Sequence, residues 1–455
     1  MNKQLLSLRN EVIAVIGVGI IVGLSTSFFL WCLNKVTQYR NGHLWVTNFL
    51  PIGGILVVWA YQKWGKQVIH GIHLVFREIH HPKLEAISIL MSPLIFFSTL
   101  VTHLCGGSAG REGTALQIGV SLSDWFINHF NKLTIPNFLE LKSFRRQILI
   151  SALGASFGCS IGAPLAGLIF GFEATKSFNL KDRFIWVHLI KAFLISSFAI
   201  LTANLLNTPH TIWPKLNLEL SLFNYINLLL ILKAIILGIV MGLVGYLFLS
   251  LNKFFKKGIQ NLNTFFVKIM KILFSVINPK NLNYFNNEIF EKLCPYFIIL
   301  FGSMVLLTLY HLNSNYIGLY SGLGIEQIKL SFLIPQEFST SILKMIFTIL
   351  TLTIGFKGGE FIPLVYIGSV SASSLAPFLI YLIPITVFDF NTELGILTTF
   401  GFGAVFGAVS KTPFACAIMV CELFGFKLII PVLISNYIAS KVIDSKKGIY
   451  MYNEI

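Results

Sequence analysis

Residues 106–114 read Gly106-Gly107-Ser108-Ala109-Gly110-Arg111-Glu112-Gly113-Thr114. This glycine-rich stretch lies between two apolar segments, Ile87–Leu104 and Ala115–Phe130. Charged side chains such as Arg111 and Glu112 are tolerated at membrane depth only where they face protein or water, and there they usually serve a function. The stretch therefore predicts a functional site buried inside a membrane protein.

The residue types of this stretch suit the binding of an anion. Glycine lets backbone N–H groups approach a ligand closely and form an anion-binding concavity. A helix that begins near Arg111 would point its positive dipole end at the same place. Glu112 would then stand where an anion binds, as a tethered, titratable gate. The alternative is a tight helix–helix contact with a snorkelling Arg–Glu pair.

The composition indicates a polytopic membrane protein and excludes a soluble one. Of the 455 residues, 55% are hydrophobic and only 12% are charged. The formal net charge of +15 is typical of cytoplasmic loops in this class, so no binding of nucleic acid is predicted. We read Val12–Leu33 as a retained first helix, because it is too long for the apolar part of a signal peptide.

No metal site, cofactor or enzymatic activity is predicted. The six cysteines have no metal-like spacing and read as small packing residues. Four histidines between Gln67 and Pro82 lack a clean ligand spacing and have no cysteine or aspartate among them, so zinc is the weaker interpretation. These histidines are His70, His73, His80 and His81.

The chain reads as a series of apolar segments joined by polar connections such as Asn131–Arg146. Several segments are shorter than the roughly 20 residues that a full span needs, which predicts re-entrant half-helices meeting at a central site. The predicted segments are Val12–Leu33, Trp45–Tyr61, Ile87–Leu104, Ala115–Phe130, Ile148–Phe178, Phe184–Leu206, Tyr225–Leu251, Pro295–Tyr310, Ile342–Ile354, Leu364–Leu382, Leu394–Phe406, Lys411–Phe424 and Leu428–Val442.

One segment differs from the rest. Lys253–Lys292 carries lysines interleaved with phenylalanine and isoleucine, which predicts an amphipathic connector lying on the cytoplasmic membrane surface. Basic residues also mark both ends of the chain, so we predict that the connector and both termini face the cytoplasm. The basic residues at the ends are Lys3, Arg9, Lys441, Lys446 and Lys447.

The sequence contains an internal repeat. Residues 154–173 and 403–422 share Gly, Ala, Phe, Gly, Pro, Ala and Glu at a constant offset of 249 residues, with Pro164 matching Pro413. The same offset pairs Gly106 with Gly355 and Gly110 with Gly359. We therefore predict two homologous transmembrane halves, 1–215 and 216–455, forming one transport domain. In transporters such halves are commonly inverted, with the ligand site where they meet.

Gly110-Arg111-Glu112-Gly113 resembles the GREG signature of the CLC family of chloride channels and anion/proton antiporters. Gly358-Gly359-Glu360-Phe361-Ile362-Pro363 resembles the family's second anion-binding motif, and Lys446-Lys447-Gly448-Ile449-Tyr450 resembles the place of its anion-coordinating tyrosine. The resemblance implies an all-α polytopic fold built as a CLC-type inverted repeat of two homologous halves with re-entrant half-helices. It also implies a homodimer, with Pro164–Phe178, Phe184–Ser197 and Pro413–Phe424 at the dimer surface.

The resemblance assigns roles to particular residues. It implies gating and proton transfer by Glu112 and Glu360. It implies anion binding by Gly110, Arg111, Gly113, Phe361, Ile362, Tyr450 and Ile72. The transported species would be fluoride or chloride ions and protons. The resemblance also implies that the lipid bilayer is a bacterial inner membrane.

Several departures from the common family pattern point to one clade. The usual serine-bearing loop is replaced by His70-Gly71-Ile72-His73-Leu74, Thr114 follows the GREG motif, and the inner glutamate of chloride/proton exchangers would fall at Ala174. Together with Glu360, this pattern resembles the bacterial fluoride/proton antiporters, although that clade often has threonine at the position of Ile362. The alternatives are a chloride channel or chloride/proton exchanger, an intramembrane enzyme and a structural scaffold.

Overall fold

A computed structural model describes residues 2–81, 87–131, 138–178, 185–216, 225–277, 287–313, 315–385, 387–444 and 448–450. These residues are almost entirely helical, as predicted. The helices before residue 216 are α1 (Asn2–Gly42), α2 (Leu50–Trp64), α3 (Ile72–His80), α4 (Met91–Leu104), α5 (Glu112–Asn131), α6 (Phe138–Ile161), α7 (Pro164–Ala174) and α8 (Ile185–Leu205). The later ones are α9 (Tyr225–Ile277), α10 (Asn287–Leu312), α11 (Asn315–Tyr320), α12 (Ile325–Leu330), α13 (Phe338–Thr353), α14 (Phe361–Leu382), α15 (Phe390–Ser410), α16 (Pro413–Phe424) and α17 (Ile429–Val442).

Within the described ranges, seven helices are long and apolar enough to cross a membrane. Four further apolar helices are too short to do so, namely α4, α7, α13 and α16. They are related in pairs by the repeat, since α4 corresponds to α13 and α7 to α16. This arrangement agrees with the half-helices expected from the sequence.

The two glycine stretches meet in a reciprocal pairing. Gly110 N–H donates to Gly359 O at 2.6 Å, and Gly359 N–H donates to Gly110 O at 2.7 Å, as an isolated antiparallel bridge. Because these two glycines are equivalent in the repeat, a local twofold axis must run between them. The constant offset in the sequence thus corresponds to a contact in space between two buried glycines.

A second reciprocal contact joins the halves through carboxylates. Glu173, at the end of α7, accepts hydrogen bonds from the N–H groups of Phe414 and Ala415 at 3.1 and 2.7 Å. Its repeat equivalent Glu422 accepts from Leu165 and Ala166 at 3.0 and 2.7 Å. Each carboxylate therefore satisfies the free N–H groups at the first turn of the partner helix, where negative charge is also favoured by the helix dipole.

Helices α14 and α15 approach so closely that only glycine fits at their contact. A Cβ added to Gly368 would lie 2.1 Å from Gly401 O. Small residues allow such backbone-to-backbone contacts between membrane helices. The contact holds α14, and therefore the start of α14 at Phe361, against the core of the second half.

We expect Gly368→Ala to destabilise the protein by about 1–3 kcal/mol, because the added methyl group forces two packed helices apart. The control is Gly258→Ala on α9, where nothing lies within 4 Å of the added methyl group. That change is expected to be neutral or stabilising by about 0.5–1 kcal/mol. Thermal unfolding of both variants in the same detergent measures the difference, and equal melting temperatures would contradict the packing argument.

Two polar stretches differ from the sequence interpretation. Asn131–Arg146 was expected as a connection, but its residues 138–146 form the first turns of α6. Residues 253–277 of the predicted connector continue α9 without a break, giving a helix of 53 residues. At 1.5 Å per residue it is about 80 Å long, far more than the roughly 30 Å hydrocarbon core, so it extends out of the membrane. The remaining connector residues 278–286, and Lys446 and Lys447, lie outside the described residues.

Candidate functional site

Two cavities border the paired glycine stretches. One, here called the arginine vestibule, has a volume of about 650 Å³ and includes Arg40 and Arg111 in its wall. The other, here called the lysine vestibule, has a volume of about 750 Å³ and includes Lys256, Lys357 and Glu360. The two walls share no residue. Each glycine stretch therefore contributes to one vestibule, Arg111 to the first and Gly358 and Glu360 to the second.

Glu112 is the first residue of α5 and is almost completely buried, with 1% of its surface exposed. Its carboxylate folds back over the start of its own helix. It accepts hydrogen bonds from the backbone N–H of Arg111 and from Arg111 Nε, both at 3.2 Å. The carboxylate thus occupies the positive end of α5, where a free anion would be favoured.

Arg111 is fixed by groups from other parts of the first half. Its Nη2 donates to Thr211 Oγ1 at 3.2 Å and to Ser160 O at 3.5 Å. Ser160 lies in the last turn of α6, and Thr211 lies in the segment after α8. The guanidinium group is therefore positioned between the wall of the arginine vestibule and Glu112. The contact of Thr211 with Arg111 could not be predicted from the sequence, because the two residues are 100 positions apart.

The glycines of the motif permit the close approach of the two stretches. The N–H of Gly110 is engaged by the carbonyl of Gly359 in the bridge. A Cβ added to Gly113 would lie 3.1 Å from the Cα of Gly359, and one added to Gly359 would lie 2.8 Å from the N of Gly113. Any side chain at these positions would separate the starts of α5 and α14.

An aromatic cluster surrounds the start of α14. The ring of Phe361 packs edge-on against those of Phe157 and Phe406, with centroids 5.2 and 4.6 Å apart. Phe157 and Phe406 are equivalent in the repeat and lie nearly parallel at 6.2 Å. Ile362 is buried beside them, with 2% of its surface exposed. In the sequence, Phe157 and Phe406 indicated only the internal repeat. Their equivalent positions in the two halves were the one indication that their rings could be in contact.

Tyr450 closes this cluster on the side of the lysine vestibule. Its ring stacks on Phe76 with centroids 5.2 Å apart and meets Phe170 edge-on at 6.0 Å. The backbone is held by a hydrogen bond from Ile449 N–H to Val409 O at 3.1 Å. Burial raises the pKa of Tyr450 well above its usual value, and the carboxyl groups of Glu360 and Glu112 raise it further. The phenol therefore stays protonated and can act as a hydrogen-bond donor.

Ile72 begins α3 and borders the lysine vestibule together with Tyr450. His70 and His73 flank it in the same wall. Gln117, one turn along α5 from Gly113, also reaches this cavity and donates to Gly113 O at 3.1 Å. Sequence reasoning missed Gln117, since a polar residue in an apolar helix has no fixed partner in the sequence.

Glu360 precedes the first residue of α14 and forms part of the wall of the lysine vestibule. Lys256, from the extended part of α9, acts on its carboxyl group electrostatically. Among the described residues, no cationic side chain lies within the 4 Å of an ion pair with Glu360. A carboxyl group in this position can exchange protons with water in the vestibule and can approach an anion only when it is neutral.

The sequence-derived site residues thus fall into three places. Arg111 and Glu112 separate the arginine vestibule from the protein centre, with Gly110 and Gly113 forming the contact between the halves. Phe361 and Ile362 are buried at the centre. Three residues face the lysine vestibule, namely Ile72, Glu360 and Tyr450.

Comparison with known proteins gives a consistent result. The family model described as voltage gated chloride channel matches residues 53–444. A chloride/fluoride channel protein from Pseudomonas syringae pv. tomato is 31% identical over 436 residues, which cover 95% of this chain and 84% of the relative. An H⁺/Cl⁻ exchange transporter from Yersinia pestis bv. Antiqua is 24% identical, over 80% of this chain and 67% of the relative.

Solved structures resemble the whole chain. The crystal structure of a CLC-type fluoride/proton antiporter superposes with a TM-score of 0.74 at 26% identity, covering 98% of this chain and 97% of the other. The structure of a slow cyanobacterial Cl⁻/H⁺ antiporter superposes with a TM-score of 0.71 at 19% identity, over 97% and 96% of the two chains. At that identity the second likeness supports the fold alone.

Proposed function

Since this chain belongs to the voltage-gated chloride channel family and is a CLC-type anion transporter, we propose that it exports fluoride in exchange for protons. The observation that carries this proposal is the position of Glu360, whose carboxyl group shares one cavity with Tyr450 and Ile72. The second candidate is chloride transport, as a channel or a chloride/proton exchanger. It is favoured by Ile362, where the fluoride/proton antiporters often carry threonine.

In the proposed mechanism Glu112 is both gate and proton carrier. The charged carboxylate stays at the start of α5 through its bonds to Arg111, and there it blocks the ion pathway between the vestibules. Protonation removes the charge and with it the charge-assisted hydrogen bonds to Arg111. The neutral side chain then leaves the helix end, an anion takes its place, and return of the carboxylate displaces the anion and releases the proton.

Fluoride requires strong donors because it is small and strongly hydrated, so its dehydration must be offset. The hydroxyl of Tyr450 and a protonated Glu360 supply such donors from the lysine vestibule. The apolar side chain of Ile72 takes the place of a serine hydroxyl and disfavours a site shaped for chloride. In this scheme the backbone N–H groups of Phe361 and Ile362, at the start of α14, are the remaining donors of the anion site.

Gly110 and Gly113 contribute by geometry in this proposal. Their lack of side chains lets the starts of α5 and α14 converge, so that two positive helix ends act on one central position. Arg111 orients Glu112 and keeps the region around it positive. None of these roles requires an enzyme active site, in keeping with a family of transporters.

We further propose a homodimer in a bacterial inner membrane, with both chain termini in the cytoplasm. The dimer surface would include α7, α8 and α16. Leu165, Phe193 and Phe414 are large apolar side chains on these helices that the single chain leaves exposed, and they would be covered by a second copy or by lipid.

The proposal is tested with purified protein in liposomes loaded with either sodium fluoride or sodium chloride. Anion efflux is followed with ion-selective electrodes and proton movement with an internal pH dye. Fluoride efflux that drives protons inward against a pH gradient is the expected result. Faster chloride than fluoride efflux would favour the chloride alternative, and anion efflux without proton movement would indicate a channel.

We expect Tyr450→Phe to lower fluoride efflux about tenfold or more, because it removes one hydrogen bond to a charged group, which contributes about 1.5–3 kcal/mol. The ring contacts with Phe76 and Phe170 remain, so the melting temperature should stay that of wild type. Tyr437→Phe on α17, where 44% of the residue's surface is exposed, is the matched control. Unchanged fluoride efflux in Tyr450→Phe would remove the phenol from the anion site.

A further inference from the structure

The second half of α9 carries a row of exposed apolar side chains, here called the α9 stripe. The stripe consists of Phe254, Leu262, Phe265 and Ile272, each of which leaves at least 41% of its surface exposed. Phe254, Phe265 and Ile272 are 11 and 7 residues apart, close to three and two whole helical turns, so they form one line along the helix. Leu262 lies beside Phe265, three residues earlier. A contiguous exposed patch of this kind marks a contact with another surface.

The α9 stripe continues a line of side chains from the membrane-spanning part of the helix. Leu243 and Leu247 precede Phe254 by 11 and 7 residues and are also exposed. Both lie before the lysines, in the apolar part of α9 that crosses the membrane. An exposed leucine in that part faces lipid. The stripe is therefore the direct continuation of the lipid-facing side of α9.

Contacts with α10 keep this part of α9 close to the membrane. Cys294 Sγ donates to Asn263 O at 3.8 Å. The rings of Phe266 and Phe297 stack with their centroids 6.2 Å apart. Cys294 and Phe297 belong to the segment of α10 that is long and apolar enough to cross a membrane. Phe266 is about 20 Å along the helix from Lys253 and still lies beside that segment, so α9 leaves the membrane at a shallow angle.

The end of α2 lies at the same level. Gln62 Nε2 donates to Lys292 O at 2.6 Å, close to the start of the spanning segment of α10. Lys63 Nζ lies 5.0 and 4.8 Å from the ring centroids of Trp59 and Trp64, and both rings are exposed. Tryptophan is typical of the boundary between hydrocarbon and headgroups. The α9 stripe therefore begins in the headgroup layer.

Lysines stand along one edge of the α9 stripe. Lys257 and Lys268 follow Phe254 and Phe265 by three residues, so each lies beside a ring of the stripe. Residues 253–277 contain five lysines and no acidic residue. In the part of the chain that the structure describes, none of the five forms an ion pair. The surface thus combines an apolar row with an uncompensated positive edge.

We propose that the α9 stripe and the lysines beside it form a docking surface for anionic phospholipids of the surrounding bilayer. The apolar side chains enter the boundary between headgroups and acyl chains, and the lysines bind the lipid phosphates. Lipid is favoured over a protein partner because the stripe continues the lipid-facing side of α9. Anionic lipid is favoured over zwitterionic lipid because it supplies the counter-charge that the lysines lack. The inference depends neither on the transported anion nor on proton coupling.

The test is native mass spectrometry of the purified full-length protein with added phosphatidylglycerol or phosphatidylcholine. The spectrum counts bound lipids and reports the oligomeric state in the same measurement. We expect the double variant Lys268→Gln/Lys271→Gln to raise the apparent dissociation constant for phosphatidylglycerol at least about threefold, because two charges beside the stripe are lost. Binding of phosphatidylcholine should equal that of wild type. Neither lysine borders the lysine vestibule.

The matched control is Lys215→Gln/Lys329→Gln, which removes the same charge from exposed lysines outside α9. It should leave the affinity for phosphatidylglycerol at the wild-type value. Equal affinities in wild type and in the α9 double variant overturn the proposal, and so does an equal loss in the control. Because no transport is measured, the outcome is independent of the proposed function.

Phe265→Ser tests the apolar part of the surface. It should weaken phosphatidylglycerol binding at least about twofold while the melting temperature stays that of wild type, because the ring is exposed. The oligomeric state should also be unchanged. A change of oligomeric state with unaltered lipid affinity would show that the stripe binds a second copy of the chain, and it would overturn the proposal.

Discussion

Glu112→Gln is expected to lose proton transport coupled to the anion while the folded protein persists. Fluoride-driven proton movement should fall by about tenfold or more, because an amide has no proton to exchange at any working pH. The glutamine has the shape of a protonated glutamate but cannot form the charge-assisted bonds to Arg111 that hold the carboxylate at 3.2 Å. Anion movement should therefore continue, driven only by its own gradient.

The measurement uses liposomes with a fluoride gradient and no initial pH difference, with proton uptake and fluoride efflux recorded on the same sample. Glu326→Gln is the matched control, since Glu326 borders the arginine vestibule but is largely exposed. It should keep wild-type coupling. Proton movement that persists undiminished in Glu112→Gln would show that Glu112 is not the proton carrier.

The start of α5 at Glu112 followed from local chemistry, and that is why it could be predicted. Glycines that interrupt an apolar run, followed at once by a charged pair and a further apolar run, leave few places where a helix can begin. The repeat was equally accessible, because Gly110 and Gly359 keep one register through two separated blocks. Their hydrogen-bonded pairing is the direct consequence of that register in a twofold arrangement.

Contacts between distant parts of the chain were not accessible from the sequence. Glu173 and Glu422 repeat at a fixed offset, yet the sequence does not say that each binds the other half's helix. Arg40 reaches the carbonyl of His103 across 63 residues, and no local pattern links the two. Such long-range hydrogen-bond partners are determined by how the helices pack. Many different sequences are compatible with the same packing, so the partners cannot be read from the sequence.

The continuation of α9 as far as Ile277 was not predicted, for a different reason. Lysines separated by aromatic residues are typical of a helix at the membrane surface, and Lys253–Lys292 was interpreted in that way. A helix that leaves the membrane can continue with the same composition, because water satisfies its charged side chains. In the structure Lys253, Lys256 and Lys257 line the lysine vestibule, where they increase the positive potential around Glu360.

Glu360→Gln is expected to have the other large effect, a loss of fluoride/proton exchange with little change in stability. By the family resemblance, Ala174 occupies the position where chloride/proton exchangers carry their inner glutamate. Its neighbour Glu173 cannot substitute freely, since its carboxylate is engaged at the start of α16 at 2.7 and 3.1 Å. Among the site residues assigned from the sequence, the carboxyl group facing the lysine vestibule is that of Glu360.

A charged Glu360 repels an anion at the centre, whereas a protonated Glu360 can donate a hydrogen bond to it. Binding of the anion and binding of the proton are thereby coupled, and each must strengthen the other by the same factor. Glutamine can still donate from its amide but cannot release a proton, so fluoride should bind while exchange falls about tenfold or more.

Fluoride efflux, proton uptake and melting temperature are measured together, with Glu326→Gln again as the control. If Glu360 serves only as a helix-terminal acid, its replacement costs about 0.3–1 kcal/mol of stability and leaves exchange near normal. That outcome would leave Glu112 as the sole proton carrier and favour chloride as the transported anion.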